Sequence, residues 1–208
     1  MLDCLVGSEM CIRDRLGDMQ DWKPNVASII EYAADIYPES EVVSKLVSGE
    51  VHRTNYKEVC VRSRKLASKL SQDGYKQGDV IATLALNTFR HLEAYYGVSG
   101  MGAVVHTLNF RLHPEQAVYI INHAEDKVIF VEAPFVPILE ALQENLSTVE
   151  KYIVFCNKDE MPDTSLKNCL SYEEYIEDGD ENFVWPDLPD NAACGLSYTS
   201  CTTGNPKG

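Results

Sequence analysis

The sequence has no apolar run approaching the roughly 18 residues of a transmembrane helix. Asp3, Glu9, Arg13, Asp14 and Arg15 break up the first residues, so these do not form the apolar core of a secretory signal. Basic residues are scarce, with 18 Lys and Arg against 32 Asp and Glu and a formal net charge of -14. That balance excludes a broad surface for nucleic acid or anionic lipid, both of which need a basic footprint. An anionic ligand must instead meet a local positive site. The seven cysteines, at 4, 11, 60, 156, 169, 194 and 201, are odd in number and form no Cys-x-x-Cys pair. They read as reduced thiols, and a cytoplasmic protein is expected. Histidines 52, 91, 106, 113 and 123 lack the spacing of a zinc site. No nucleophile or carboxylate pair stands at a telling spacing from His91 or His106, which read as packing or surface residues.

What is present is an alternation of helical and strand patterns. Residues 25 to 36 predict a helix with Val26, Ile29, Ile30 and Ala33 on one face. Residues 41 to 47 and 51 to 54 predict a hairpin turning at Gly49, after which Thr54 is placed to cap a helix over 55 to 72 that ends at Gly74. Residues 80 to 86 read as a buried strand, Asn87 as the cap of a helix over 88 to 101, and 103 to 108 as the next strand. Pro114 marks a helix start with Ala117, Val118, Ile120 and Ile121 on its buried side. Strands over 127 to 132 and 152 to 156 flank a helix near 134 to 145. Strand, helix, strand in repetition predicts an α/β domain with a largely parallel sheet and right-handed crossovers. From Lys158 to Asp190 eleven acidic residues face two lysines, which reads as a solvated face with a short helix near 171 to 177. Gly97, Gly100 and Gly102 have the wrong order for a dinucleotide fingerprint and read as close helix packing. Phe89, Tyr95 and Tyr96 read as core.

The last eleven residues, Tyr198-Thr199-Ser200-Cys201-Thr202-Thr203-Gly204-Asn205-Pro206-Lys207-Gly208, follow the apolar stretch Ala192 to Leu196. By composition alone they are a surface turn. Their order suggests a phosphate loop, with hydroxyl donors, Gly204 for close backbone approach, and the Lys207 ammonium for the outer phosphates. It is not a Walker A loop, because Pro206 precedes the lysine and Gly208 follows it. The segment resembles the phosphate loop of the adenylate-forming acyl-CoA synthetase superfamily, Tyr-Thr-Ser-Gly-Thr-Thr-Gly-x-Pro-Lys-Gly, at ten of eleven positions, with Cys201 the exception. A second block, Ile81 to Asn87, Phe89 to Tyr96 and Gly100 to Leu112, is similar to the medium- and long-chain fatty-acid branch, departing at Phe110, where Pro is frequent.

The resemblance implies an N-terminal part of the large domain of an enzyme that joins ATP to a fatty acid and passes the acyl group to coenzyme A. Thr199, Ser200, Cys201, Thr202, Thr203, Gly204 and Lys207 would contact the ATP phosphates, with Mg2+ bridging those phosphates and Thr199 a possible metal ligand. No catalytic residue of the family falls within the sequence, so the 208-residue chain alone is expected to be inactive. The resemblance runs from about Trp22, residues 1–15 look foreign to it, and 16–208 are expected to form the N-terminal part of the synthetase domain. It also implies a homodimer through the N-terminal region. An aryl or short-chain acid as substrate, or a non-catalytic fold fragment, are the other readings.

Overall fold

A computed structural model describes residues 25–199 and 206–208. The first helix, α1 (Val26–Ile36), begins where the Asn25 side chain accepts a hydrogen bond from the Ser28 N–H at 2.8 Å. A hairpin follows, β1 (Glu41–Lys45) against β2 (Val51–Asn55), antiparallel, with Gly49 at φ 89° in its turn. Pairing continues to Asn55, so the cap of α2 (Tyr56–Gln72) is Asn55 and not the expected Thr54. Asn55 accepts from the Glu58 N–H at 2.9 Å, whereas the Thr54 hydroxyl donates to the Glu58 carboxylate at 2.6 Å.

The remaining elements are β3 (Val80–Leu84), α3 (Phe89–Gly100), β4 (Val104–Thr107), α4 (Pro114–Ala124), β5 (Val128–Val131), α5 (Val136–Leu142), β6 (Lys151–Val154), β7 (Cys169–Ser171), α6 (Tyr172–Ile176) and β8 (Gly195–Leu196). Strands β3 to β8 form one sheet in the order β7-β6-β5-β3-β4-β8, with every neighbouring pair parallel. Both faces are covered, which is why β5, Val-Ile-Phe-Val, is buried at every residue. Alternation along the strands divides the core in two. Ile81, Val105, Phe130 and Ile153 pack with Leu66, Leu70, Ala94, Val98 and Tyr172 on the side of α2, α3 and α6. Ala82, Ile129, Val131 and Val154 pack with Ile121 and Leu139 on the side of α4 and α5. Each large side chain fully buried here stabilises the fold by about 1.5–3 kcal/mol.

Helices α2 and α3 approach closely because of Gly97: a Cβ there would lie 2.9 Å from both Leu66 Cδ2 and the Ser63 carbonyl oxygen. The reading of these glycines as helix packing therefore holds for Gly97, and Gly100 makes room in the same way for the Trp185 ring.

Several expectations are corrected. On α1 the buried residues are Ala27 and Ile30, while Ile29 is 57% exposed, because the helix packs on Val59 and Cys60 through a narrower stripe than its apolar residues suggest. The cap of α3 is Thr88, one residue beyond Asn87, and its hydroxyl is committed to Glu132 at 3.2 Å. Of the aromatic trio only Phe89 is core, since Tyr95 is exposed and Tyr96 half-buried. The acidic segment is not uniformly solvated: it supplies β7, the buried Tyr172, Tyr175 and Ile176, and Glu173, which is bound to two arginines.

Candidate functional site

In an open parallel sheet, ligands gather beyond the carboxyl ends of the strands, where loops carry the chemistry. The phosphate-loop candidates leave the sheet at such an end. Strand β8 lies along β4, with Val105 opposite Gly195 and His106 opposite Leu196, and Cys194 is held by the Ser99 hydroxyl at 2.8 Å and the Val105 N–H at 3.1 Å. One residue beyond β8, Ser197 lies 3.4 Å from the Thr107 hydroxyl.

Thr199 and Lys207 form an antiparallel bridge, in which the Thr199 N–H donates to the Lys207 carbonyl at 3.0 Å. The two ends of the candidate loop are thereby joined, with the Lys207 side chain exposed. Gly208 folds back onto Tyr198, where an added Cβ would sit 2.8 Å from the ring. Ser200, Cys201, Thr202, Thr203 and Gly204 lie outside the described residues.

Beneath Tyr198 the structure pairs His106, expected from the sequence to be a packing or surface residue, with Asp126, which no spacing rule singles out. His106 and Asp126 are both fully buried, and Nδ1 of the imidazole lies 2.9 Å from each carboxylate oxygen. Burial pushes the Asp126 carboxyl above its ordinary range, a shift that the hydrogen bond from His106 partly offsets. The Tyr198 ring is tilted over the imidazole at 5.2 Å, and its hydroxyl shares a 2.6 Å hydrogen bond with His123 Nδ1. His106 Nε2 is buried with no hydrogen-bond partner among the described residues. Such an atom typically costs about 1–3 kcal/mol. By contrast His91 is satisfied at both nitrogens, by the Leu86 carbonyl at 3.1 Å and the Thr83 hydroxyl at 3.0 Å, and burial lowers its pKa. His91 ties the end of β3 to α3, as a packing residue should.

A second polar cluster involves no residue of the loop. Arg62 donates to Glu93 at 2.8 Å and forks onto Glu173 at 3.0 and 2.9 Å, while Arg90 donates to Glu173 and to Asn157, each at 2.8 Å. Arg62, Arg90, Asn157 and Glu173 line an open groove of about 1050 Å³, whose lining also includes His52, stacked on Phe89 at 3.9 Å. Every charge named here is paired, so the cluster reads as a structural tie between α2, α3 and α6. No group of three or more His, Cys, Asp or Glu able to hold a metal occurs among the described residues. Cys60, Cys156, Cys169 and Cys194 are free thiols. No described helix is long and apolar enough to cross a membrane.

Comparison with known proteins bears on the same region. A family model described as AMP-binding enzyme matches residues 30–208. The chain is 45% identical over 193 residues to a medium-chain-fatty-acid–CoA ligase of Ectopseudomonas oleovorans, covering 93% of this chain and 35% of that protein. It is 46% identical over 191 residues to a long-chain-fatty-acid–CoA ligase of Thermus thermophilus, with 91% and 34% covered. A 3-methylmercaptopropionyl-CoA ligase of Ruegeria pomeroyi is 43% identical, with 93% and 36% covered. The chain thus spans about a third of the length of these relatives. Among solved structures, an anthranilate CoA ligase in complex with anthranoyl-AMP superimposes with a TM-score of 0.79 at 21% identity, over 92% of this chain and 35% of that one. A long-chain-fatty-acid-CoA ligase from Archaeoglobus fulgidus gives 0.75 at 23%, over 91% and 37%. At these identities the superpositions show a shared fold.

Proposed function

Because the chain belongs to the AMP-binding enzyme family, we propose that the full-length protein is an ATP-dependent, AMP-forming fatty-acid–CoA ligase and that residues 198–208 supply its phosphate-binding loop. A carboxylate is a poor electrophile because resonance spreads its charge, so thioester formation needs a better leaving group. Attack of the carboxylate oxygen on the α-phosphorus of ATP expels pyrophosphate and gives an acyl-adenylate. The sulfur of coenzyme A then attacks the acyl carbon, forms the thioester and releases AMP.

In this scheme Thr199, Ser200, Thr202 and Thr203 offer hydroxyls, Gly204 lets the backbone approach, and Lys207 offsets charge on the departing pyrophosphate. Cys201 stands within the same loop. What carries the reading is the loop sequence, together with the Thr199–Lys207 bridge that joins its ends at the carboxyl edge of a parallel sheet. When bound, Mg2+ would neutralise phosphate charge; the hydroxyl of the exposed Thr199 donates to the Lys207 carbonyl at 3.4 Å, and its oxygen is a hard donor that would fit the ion once phosphate oxygens complete the shell.

Residues 1–15 precede the family match, which begins at residue 30, and are assigned no part in the reaction. The free thiols favour a reducing, cytoplasmic setting. A homodimer is supported by an outward apolar surface on α1 and the hairpin, where Ile29, Tyr32, Ile36, Tyr37, Val43 and Val51 are each more than half exposed. The acid is a medium- or long-chain fatty acid, the substrate class named for two of the relatives. A short sulfur-bearing acid is the second reading, because the Ruegeria pomeroyi relative is nearly as similar. Pyrophosphate release by the full-length protein with acids from butyrate to stearate and with 3-methylmercaptopropionate decides between them. Release with none of them would overturn the ligase assignment.

A further inference from the structure

The two nitrogens of His106 are treated unequally by the fold. Asp126 takes the Nδ1 proton in a hydrogen bond at 2.9 Å, which fixes the tautomer and leaves Nε2 as a lone-pair acceptor. That acceptor is buried and has no partner among the described residues. Native folds satisfy nearly all such atoms, and an exception calls for a reason. Packing alone would be served as well by an apolar side chain, without a buried carboxylate opposite.

The position of the pair supplies the reason. The imidazole lies under the Tyr198 ring, at 5.2 Å between centroids. Tyr198 begins the phosphate loop, and Gly208, at the loop's far end, closes onto the same ring, leaving no room for a Cβ. The buried imidazole therefore backs Tyr198, the ring onto which the far end of the loop closes. His123 on α4 fixes the Tyr198 hydroxyl from the other side at 2.6 Å.

We propose that His106, oriented by Asp126, is a positioning residue for the nucleotide site: it seats Tyr198 and so the two ends of the phosphate loop, and its Nε2, unpartnered among the described residues, takes a hydrogen bond that only the nucleotide-bound protein makes. The inference rests on the reading of the loop as an ATP phosphate site. It names a pair outside the loop motif, and it sets the direction of the hydrogen bond at Nε2.

Two substitutions in the full-length protein test it. His106→Gln removes the imidazole. Asp126→Asn keeps the shape; the 15N shifts of His106 in this variant report whether the amide N–H faces Nδ1, the orientation that moves the proton to Nε2 and turns the acceptor into a donor. Both variants should weaken ATP binding and raise the KM for ATP about tenfold, the effect of one hydrogen bond near the upper end of its usual range. The KM for coenzyme A should stay within about twofold of wild type, less than a single hydrogen bond contributes. In wild type the 15N resonance of His106 Nε2 should move on addition of Mg-ATP. Should His106→Gln fail to fold, Asp126→Asn and the wild-type resonance still decide.

Unchanged ATP affinity in the variants, or a lowered melting temperature with no change in ATP affinity, would overturn the proposal, as would a stationary Nε2 resonance. A wild-type protein that binds no ATP would overturn both this inference and the ligase reading. Wild type that binds ATP but releases no pyrophosphate with any acid would overturn the ligase reading alone, and the ATP dissociation constants of the variants would still judge the role of His106.

Discussion

Tyr172 donates its hydroxyl to Glu93 at 2.9 Å, and neither side chain reaches solvent. Glu93 also receives Arg62 at 2.8 Å, so the carboxylate is paired at both oxygens, yet loss of water dominates its ionisation and pushes its pKa up to about 7, with Arg62 opposing. The folded protein therefore holds a proton that the unfolded chain releases near 4.5. Stability from this group is fully present below about 4.5, falls as the pH rises to about 7, and is level above. The melting temperature of wild type minus that of Glu93→Gln should accordingly decline across that window. A difference independent of pH would show that Glu93 does not titrate there.

Glu173 joins three elements through three guanidinium contacts, two from Arg62 and one from Arg90. Glu173→Gln keeps the volume and leaves both arginines short of a charge. Breaking a fully buried pair costs about 3–5 kcal/mol. Glu173 is 27% exposed, so water can compensate in part, and a loss of about 2 kcal/mol is expected. Urea unfolding of the variant measures it, and a change below about 0.5 kcal/mol, typical of a surface pair, would mean that the cluster is already wet.

Gly97→Ala sets two effects against each other. Alanine is favoured over glycine inside a helix by about 1 kcal/mol. The added Cβ, however, would stand 2.9 Å from the Ser63 carbonyl oxygen, a backbone atom of the neighbouring helix that cannot rotate aside. Overpacking of this kind costs about 1–3 kcal/mol, so a net loss of about 1 kcal/mol is expected, and more for Gly97→Val. An alanine variant melting above wild type would show that α2 and α3 separate easily.

How much of this could be seen in the sequence follows from where each interaction originates. The apolar period of α2, the glycine in the hairpin turn and Pro114 at the start of α4 are local signals, and the structure bears them out. Strands β7 and β8, of three and two residues, are too short to carry a period and exist because an adjacent strand offers hydrogen bonds. Arg62 and Glu173 stand 111 residues apart, and no spacing rule joins them. His106 on β4 and Asp126 in the connection from α4 to β5 stand 20 apart, and only the crossover through α4 brings them together. The loop motif was legible because its chemistry lies in consecutive residues, whereas the pair supporting Tyr198 was not.

Cys201 occupies the position where the adenylate-forming loop pattern has glycine. If the backbone there takes positive φ, a side chain costs about 1–2 kcal/mol. A β-carbon would also stand where phosphate oxygens approach the main chain. Both effects would weaken the ATP-bound state relative to the free protein, and a cysteine side chain offers no cation to compensate. In the full-length protein, Cys201→Gly should therefore raise ATP-dependent acyl-CoA synthesis at subsaturating ATP by roughly five- to thirtyfold, the rate equivalent of about 1–2 kcal/mol. The gain should lie mainly in the KM for ATP, because under the proposed function the loop holds phosphates in the ground state as well as in the transition state. Equal rates and equal ATP dependence for the two proteins would show that the loop accommodates a side chain at this position.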